Sequence, residues 1–115
     1  MKLSKVQNLL DAEVLTQTSW QDVDVNSAFG CDLMSDVLAF VKDQSVLLTG
    51  LVNPQVVRTA EMLDIKVIIF VRGKRPTEEM VNLASSLNMI VMCTENSLYT
   101  SSGLLFSAGL AGNGE

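Results

Sequence analysis

Four clusters of polar residues hold nearly all the chemistry this sequence offers: Asp32, Ser35 and Asp36; Thr49, Gly50 and Asn53; Arg72, Gly73, Lys74 and Arg75; and Thr94, Asn96 and Ser97. Hydroxyls and amides beside a basic tetrapeptide suit the binding of a small anion rather than covalent catalysis. The chain of 115 residues contains no histidine, which removes Ser-His-Asp and Cys-His nucleophiles, HExxH zinc sites and imidazole pH switches. The remaining nucleophile candidates are Cys31, Cys93 and the Ser101-Ser102 pair, and no spacing gives any of them a lysine or carboxylate base. The reading is of a protein that is not an enzyme and needs no cofactor.

The basic cluster is the most informative of the four. Lys66, Arg72, Lys74 and Arg75 fall within ten positions that contain no acid, so this segment carries +4 while the remainder nets −9. Gly73 permits close backbone approach, and arginine offers paired N–H donors to a phosphate. The plainer alternative is a solvated turn whose cations pair with the surrounding acidic surface. The segment is not a P-loop, because Gly73-Lys74 is followed by Arg-Pro and no GxxxxGK register precedes it. A pI of about 4.5 and a single tryptophan and tyrosine far from the basic residues argue against nucleic acid. Asp32, Asn53 and Ser97 have an equally simple role as helix caps, whether or not anything binds.

These residues sit between elements of one regular rhythm. A composition 48% hydrophobic and 18% charged, with a mean hydropathy of +0.31, predicts one folded domain over residues 1–110 and a flexible tail over 111–115. Ser4 is positioned to cap a short helix with apolar Val6, Leu9 and Leu10, and 13–16 reads as a short strand. Alternation over 23–29 predicts a strand, and Leu33, Val37, Leu38 and Val41 mark one face of a helix over 32–41. Strands follow at 45–49, 66–71 and 89–93. Between and after them come helices from Asn53-Pro54 to Leu63, from Thr77 to Leu87, and from Ser97 to Ala108, where Gly109 ends the chain's last helix. Strands apolar on both faces and separated by helices imply a three-layer α/β/α sandwich around a mostly parallel sheet of four to five strands. The four clusters would then lie on loops leaving the carboxyl ends of successive strands, where open parallel sheets take ligands.

Cys31 and Cys93 have neither disulfide-framework nor metal spacing and read as reduced thiols. The polar residues Ser4, Gln7 and Asn8 interrupt any signal-peptide core, and no apolar run nears the roughly 20 residues of a membrane span, so a cytoplasmic protein with no membrane partner is expected. Methionines such as Met34, Met62, Met80, Met89 and Met92 read mainly as core filler. The apolar content is high for so small a domain, and with Met34, Leu104, Leu105 and Phe106 on helices that could pair, a homodimer is expected.

The stretch Gly30-Cys31-Asp32-Leu33-Met34-Ser35-Asp36-Val37-Leu38 resembles the signature of DRTGG domains. Three later blocks are similar to that family in order and separation: Asn53 to Ala60, Val67 to Pro76, and Cys93-Thr94 followed by Ser97-Leu98-Tyr99. The resemblance runs from about Leu15 to Leu110. The Asp-Arg-Thr-Gly-Gly tract itself is absent, Asn26-Ser27-Ala28-Phe29-Gly30 standing in its place. The resemblance implies a regulatory module, found alone or joined to CBS pairs in nucleotide-regulated pyrophosphatases and related to the amino-terminal domain of HPr kinase/phosphorylase. Two readings follow: a module sensing a small anionic metabolite such as an adenine nucleotide, and a dimerisation module with no small-molecule ligand.

Overall fold

The apolar runs become strands, and the order in which they add to the sheet decides where everything else goes. The computed structural model describes residues 1–16, 23–41 and 45–112. Its elements are α1 (Leu3–Leu10), β1 (Glu13–Val14), β2 (Ser27–Gly30), α2 (Met34–Phe40), β3 (Ser45–Thr49), α3 (Pro54–Met62), β4 (Val67–Phe70), α4 (Glu78–Ser86), β5 (Ile90–Cys93) and α5 (Leu98–Ser107). They build one sheet in the order β1-β5-β4-β3-β2, in which β2 to β5 are parallel and only β1 runs antiparallel, Glu13 facing Cys93.

Adding strands in one direction with a constant crossover hand places every linking helix on the same face. Accordingly Met34, Val37 and Val41, Val56, Val57 and Ala60, and Met80 and Ala84 all pack on Leu47, Ile68, Phe70 and Val91. The other face, with Leu48, Val67, Ile69 and Met92, is covered by Leu3, Val6 and Leu10 of α1 and by Leu105 of α5. This is the three-layer sandwich the periodicity predicts. Burying a side chain the size of Leu47 or Ile68 stabilises the fold by roughly 1.5–3 kcal/mol.

Local chemistry explains the helix ends. Asn53 and Thr77 accept hydrogen bonds from the backbone of Gln55 (2.8 Å) and Met80 (3.2 Å), and Pro54 opens α3. Asp11, Asp64 and Asn88, just beyond α1, α3 and α4, take the left-handed conformation often filled by glycine.

Several expectations need correction. Ser4 does not cap α1; Lys2 stands there and makes no side-chain cap bond. Residues 23–25 are not strand β2, because Val23 and Val25 bond to the backbone of Leu3 and Met1 instead. Helix α2 begins two residues later than expected. Of the face expected inward, Val37 and Val41 are buried, together with Met34, while Leu33 (57% exposed) and Leu38 (41%) face outward. Met62 is exposed, whereas Met34, Met80, Met89 and Met92 are buried. The tail is expected to begin at 111, yet the Ala111 carbonyl accepts from the Ala28 N–H (3.0 Å) along the outer edge of β2, and 113–115 lie outside the described residues. Both cysteines are free, and among the described residues no helix is long and apolar enough to cross a membrane.

Candidate ligand site at the carboxyl edge of the sheet

Because Gly30 pairs with Leu48, Thr49 with Phe70 and Phe70 with Cys93, the four parallel strands end side by side. Their exit loops meet, and three side chains interlock over a glycine. Asp32 Oδ1 accepts from Thr49 Oγ1 at 3.0 Å and from the Gly50 N–H at 2.8 Å, while Oδ2 lies 3.9 Å from the Arg72 guanidinium. Asp32 therefore ties the β2 exit to the β3 exit and does not cap α2. That tie holds residue 32 out of the helix and accounts for the late start of α2.

Arg72 has φ +59, a backbone conformation costly for a side chain with a Cβ. Its N–H donates to the Asn96 carbonyl at 2.8 Å, which holds it there. The guanidinium lies directly over Gly50: a Cβ at that position would come within 2.7 Å of Nη2. Asp32 and Arg72 remain half exposed, at 50% and 55%.

The rest of the basic segment is dispersed. Lys66 pairs with Asp64 (2.8 Å) at the opposite end of β4. Arg75 reaches across β5 to grip Glu13 through both nitrogens at 3.1 and 3.2 Å, and its Nη1 also lies 3.3 Å from Cys93 Sγ. The Arg75 hydrogen bonds and charge hold the Glu13 carboxyl below the usual glutamate value, and the same contacts raise Arg75. Burial pushes the Cys93 thiol up, against the smaller pull of Arg75. Gly73 (φ +69) does permit a close approach, but its neighbour is Glu95, whose carboxylate would touch a Cβ at 2.6 Å. Lys74 is exposed and forms no ion pair among the described residues.

Of the other expected site residues, Thr94 and Asn96 turn to the far layer, both donating to the Leu10 carbonyl, at 2.6 and 3.1 Å. Ser97 caps α5 through the Thr100 N–H and Asn53 caps α3. Ser35 and Asp36 lie in the first turn of α2. The cluster the fold assembles is thus Asp32, Thr49, Gly50 and Arg72, with Gly73 and Lys74 beside it. Sequence reasoning missed the roles of Glu95 and Glu13, which nothing local signals. Gly50 was visible as a glycine directly after a strand.

A second feature lies beside α5. A groove of about 700 Å³ runs between this helix and edge strand β2, lined by Ala28, Gly30, Tyr99, Ser102, Gly103 and Phe106 among others. Gly30 lets the two elements approach closely, since a Cβ there would meet Leu98 at 3.0 Å.

The fold defines the class: a three-layer α/β/α domain with a mostly parallel five-stranded sheet. No family model and no curated protein matches the chain. Among solved structures it is similar to the crystal structure of the CBS and DRTGG domains of the regulatory region of Clostridium perfringens pyrophosphatase, complexed with the activator diadenosine tetraphosphate. The TM-score is 0.77 at 19% identity, over 90% of this chain and 45% of that one. The chain therefore spans about half the length of that structure. The likeness supports a DRTGG-like fold.

Proposed function

We propose that the protein is a non-catalytic regulatory module that senses a small anionic metabolite, an adenine nucleotide, at the carboxyl edge of its sheet. The observation that carries this reading is Arg72: a half-exposed guanidinium held over Gly50 by a left-handed backbone, with Lys74 adjacent. The likeness to a regulatory region that binds a diadenosine tetraphosphate activator supports the ligand class. A non-catalytic role agrees with the absence of histidine and with a Cys93 thiol pushed up by burial, the reverse of an activated nucleophile.

A thermal-shift titration with adenine nucleotides tests it. A ligand at one hundred times its Kd adds about 2.7 kcal/mol to stability. Replacing both Arg72 and Lys74 by alanine should weaken binding by roughly tenfold or more and lessen its salt dependence. If nucleotides bind that variant unchanged, the loop is a solvated turn.

A second reading, self-association, is favoured by α5, where Tyr99 is 88% and Phe106 66% exposed beside the groove. Of the residues expected at such an interface, Met34 and Leu105 are buried within the protomer, which leaves Leu104 and Phe106. Light scattering giving the mass of one 12.5 kDa chain at micromolar concentration overturns this reading.

A further inference from the structure

The hydrogen bonds around Asp32 are lopsided. Oδ1 holds two donors, which fixes the plane of the carboxylate. Oδ2 faces Arg72 across 3.9 Å, beyond hydrogen-bond reach, and no other donor reaches it among the described residues. The Arg72 guanidinium likewise donates no side-chain hydrogen bond there. An acceptor oxygen and a forked set of donors are therefore held side by side and half exposed, each with capacity unmet.

We infer that Asp32 and Arg72 together select a phosphorylated polyol, of which a ribonucleotide is the instance, over a bare phosphate or polyphosphate. This rests on the ligand site proposed above and assigns the parts of the ligand. The phosphate is taken by Arg72 and the neighbouring Lys74, and a sugar hydroxyl donates to Asp32 Oδ2. A bare anion entering beside Arg72 meets a fixed carboxylate, and like-charge repulsion there opposes it. A ligand that brings an O–H donor next to its anion turns the same carboxylate into an acceptor of a charge-assisted hydrogen bond. The aspartate is thus the selector and the arginine the anchor. Gly50 is a positioning residue, since a methyl group there would lift the guanidinium away from Asp32.

Calorimetric titration of the full chain with ADP, 2′,3′-dideoxy-ADP and inorganic pyrophosphate tests the selection without any substitution. ADP should bind about tenfold more tightly than either of the other two, the effect of one charge-assisted hydrogen bond at a half-exposed site. Asp32→Asn keeps Oδ1 as the acceptor for Thr49 and Gly50 while removing the charge. It should weaken ADP, tighten pyrophosphate and abolish the preference. Gly50→Ala should weaken ADP and pyrophosphate alike. If the unaltered protein binds dideoxy-ADP as tightly as ADP, or D32N keeps the preference, the selector role falls while the nucleotide site stands. If neither ADP nor pyrophosphate binds, both fall.

Discussion

The basic loop after β4 and the helix α5 both stand out in the sequence, one for charge and the other for apolar residues, and the fold treats them in opposite ways. The cations of the basic segment are drawn apart along the chain's own acids, Lys66 to Asp64, Arg72 to Asp32 and Arg75 to Glu13. The apolar side chains of α5 are not all covered: Leu105 is buried, whereas Tyr99 and Phe106 face solvent. Of the four charges within ten positions, one stands a strand's length from the others, since Lys66 precedes β4 and the other three follow it. A helix packed on a sheet can bury only one stripe of its surface. Clustering along a chain therefore says less about function than which groups the fold leaves without partners.

The sharpest test of this contrast lies within α5. Leu105→Ala should cost about 2–5 kcal/mol of unfolding free energy, because it empties a fully buried position, and Phe106→Ala next to it should cost roughly 0.5 kcal/mol or less. Urea denaturation of the two variants measures the difference; equal losses would mean that Phe106 is covered in solution.

A smaller effect separates the loop after β4 from the loop after β5, which braces α1. Thr94→Val removes the shorter of two hydrogen bonds to the buried Leu10 carbonyl and should destabilise by about 1–3 kcal/mol. The Arg72-Lys74 double alanine variant, by contrast, should unfold close to the unaltered midpoint. If the two variants lose stability equally, Arg72 is a structural residue.

The smallest effect concerns Glu13. Its folded value is depressed by Arg75, so its contribution to stability is present above the ordinary glutamate value of 4.5 and is lost as pH falls through the depressed one. The stability gap between the protein and Glu13→Gln should therefore narrow on acidification below about pH 4.5, and added salt should shrink it at neutral pH. A gap that does not change between pH 7 and pH 3 would show that the pair contributes nothing through charge.

What the sequence discloses follows the range of the forces involved. The caps at Asn53, Thr77 and Ser97 act over two or three residues and are readable directly, as are strands such as 67–70 that are apolar on both faces. Asp32 shows the limit. Beside a helix start it reads as a cap, yet its partners, Thr49 and Gly50, are 17 and 18 residues on. Arg75 finds Glu13 across 62 residues, through an antiparallel edge strand only two residues long, and no local pattern carries that information. The likeness of the Gly30–Leu38 block to a family signature did flag the segment where the Asp32 cluster forms.

The two faces of the sheet also differ in when they can be completed. The layer of α2, α3 and α4 is drawn from one unbroken stretch, so during synthesis each helix can dock as soon as its strand has emerged. The opposite layer joins α1 to α5, which lie far apart in the chain, and the carbonyl of Leu10 waits for Thr94 and Asn96, 84 and 86 residues later. Until Leu105 leaves the ribosome, the face with Leu48, Ile69 and Met92 has the cover of α1 but lacks that of α5. Apolar surface left open during synthesis favours aggregation, and the cover of this face is completed by one ten-residue helix.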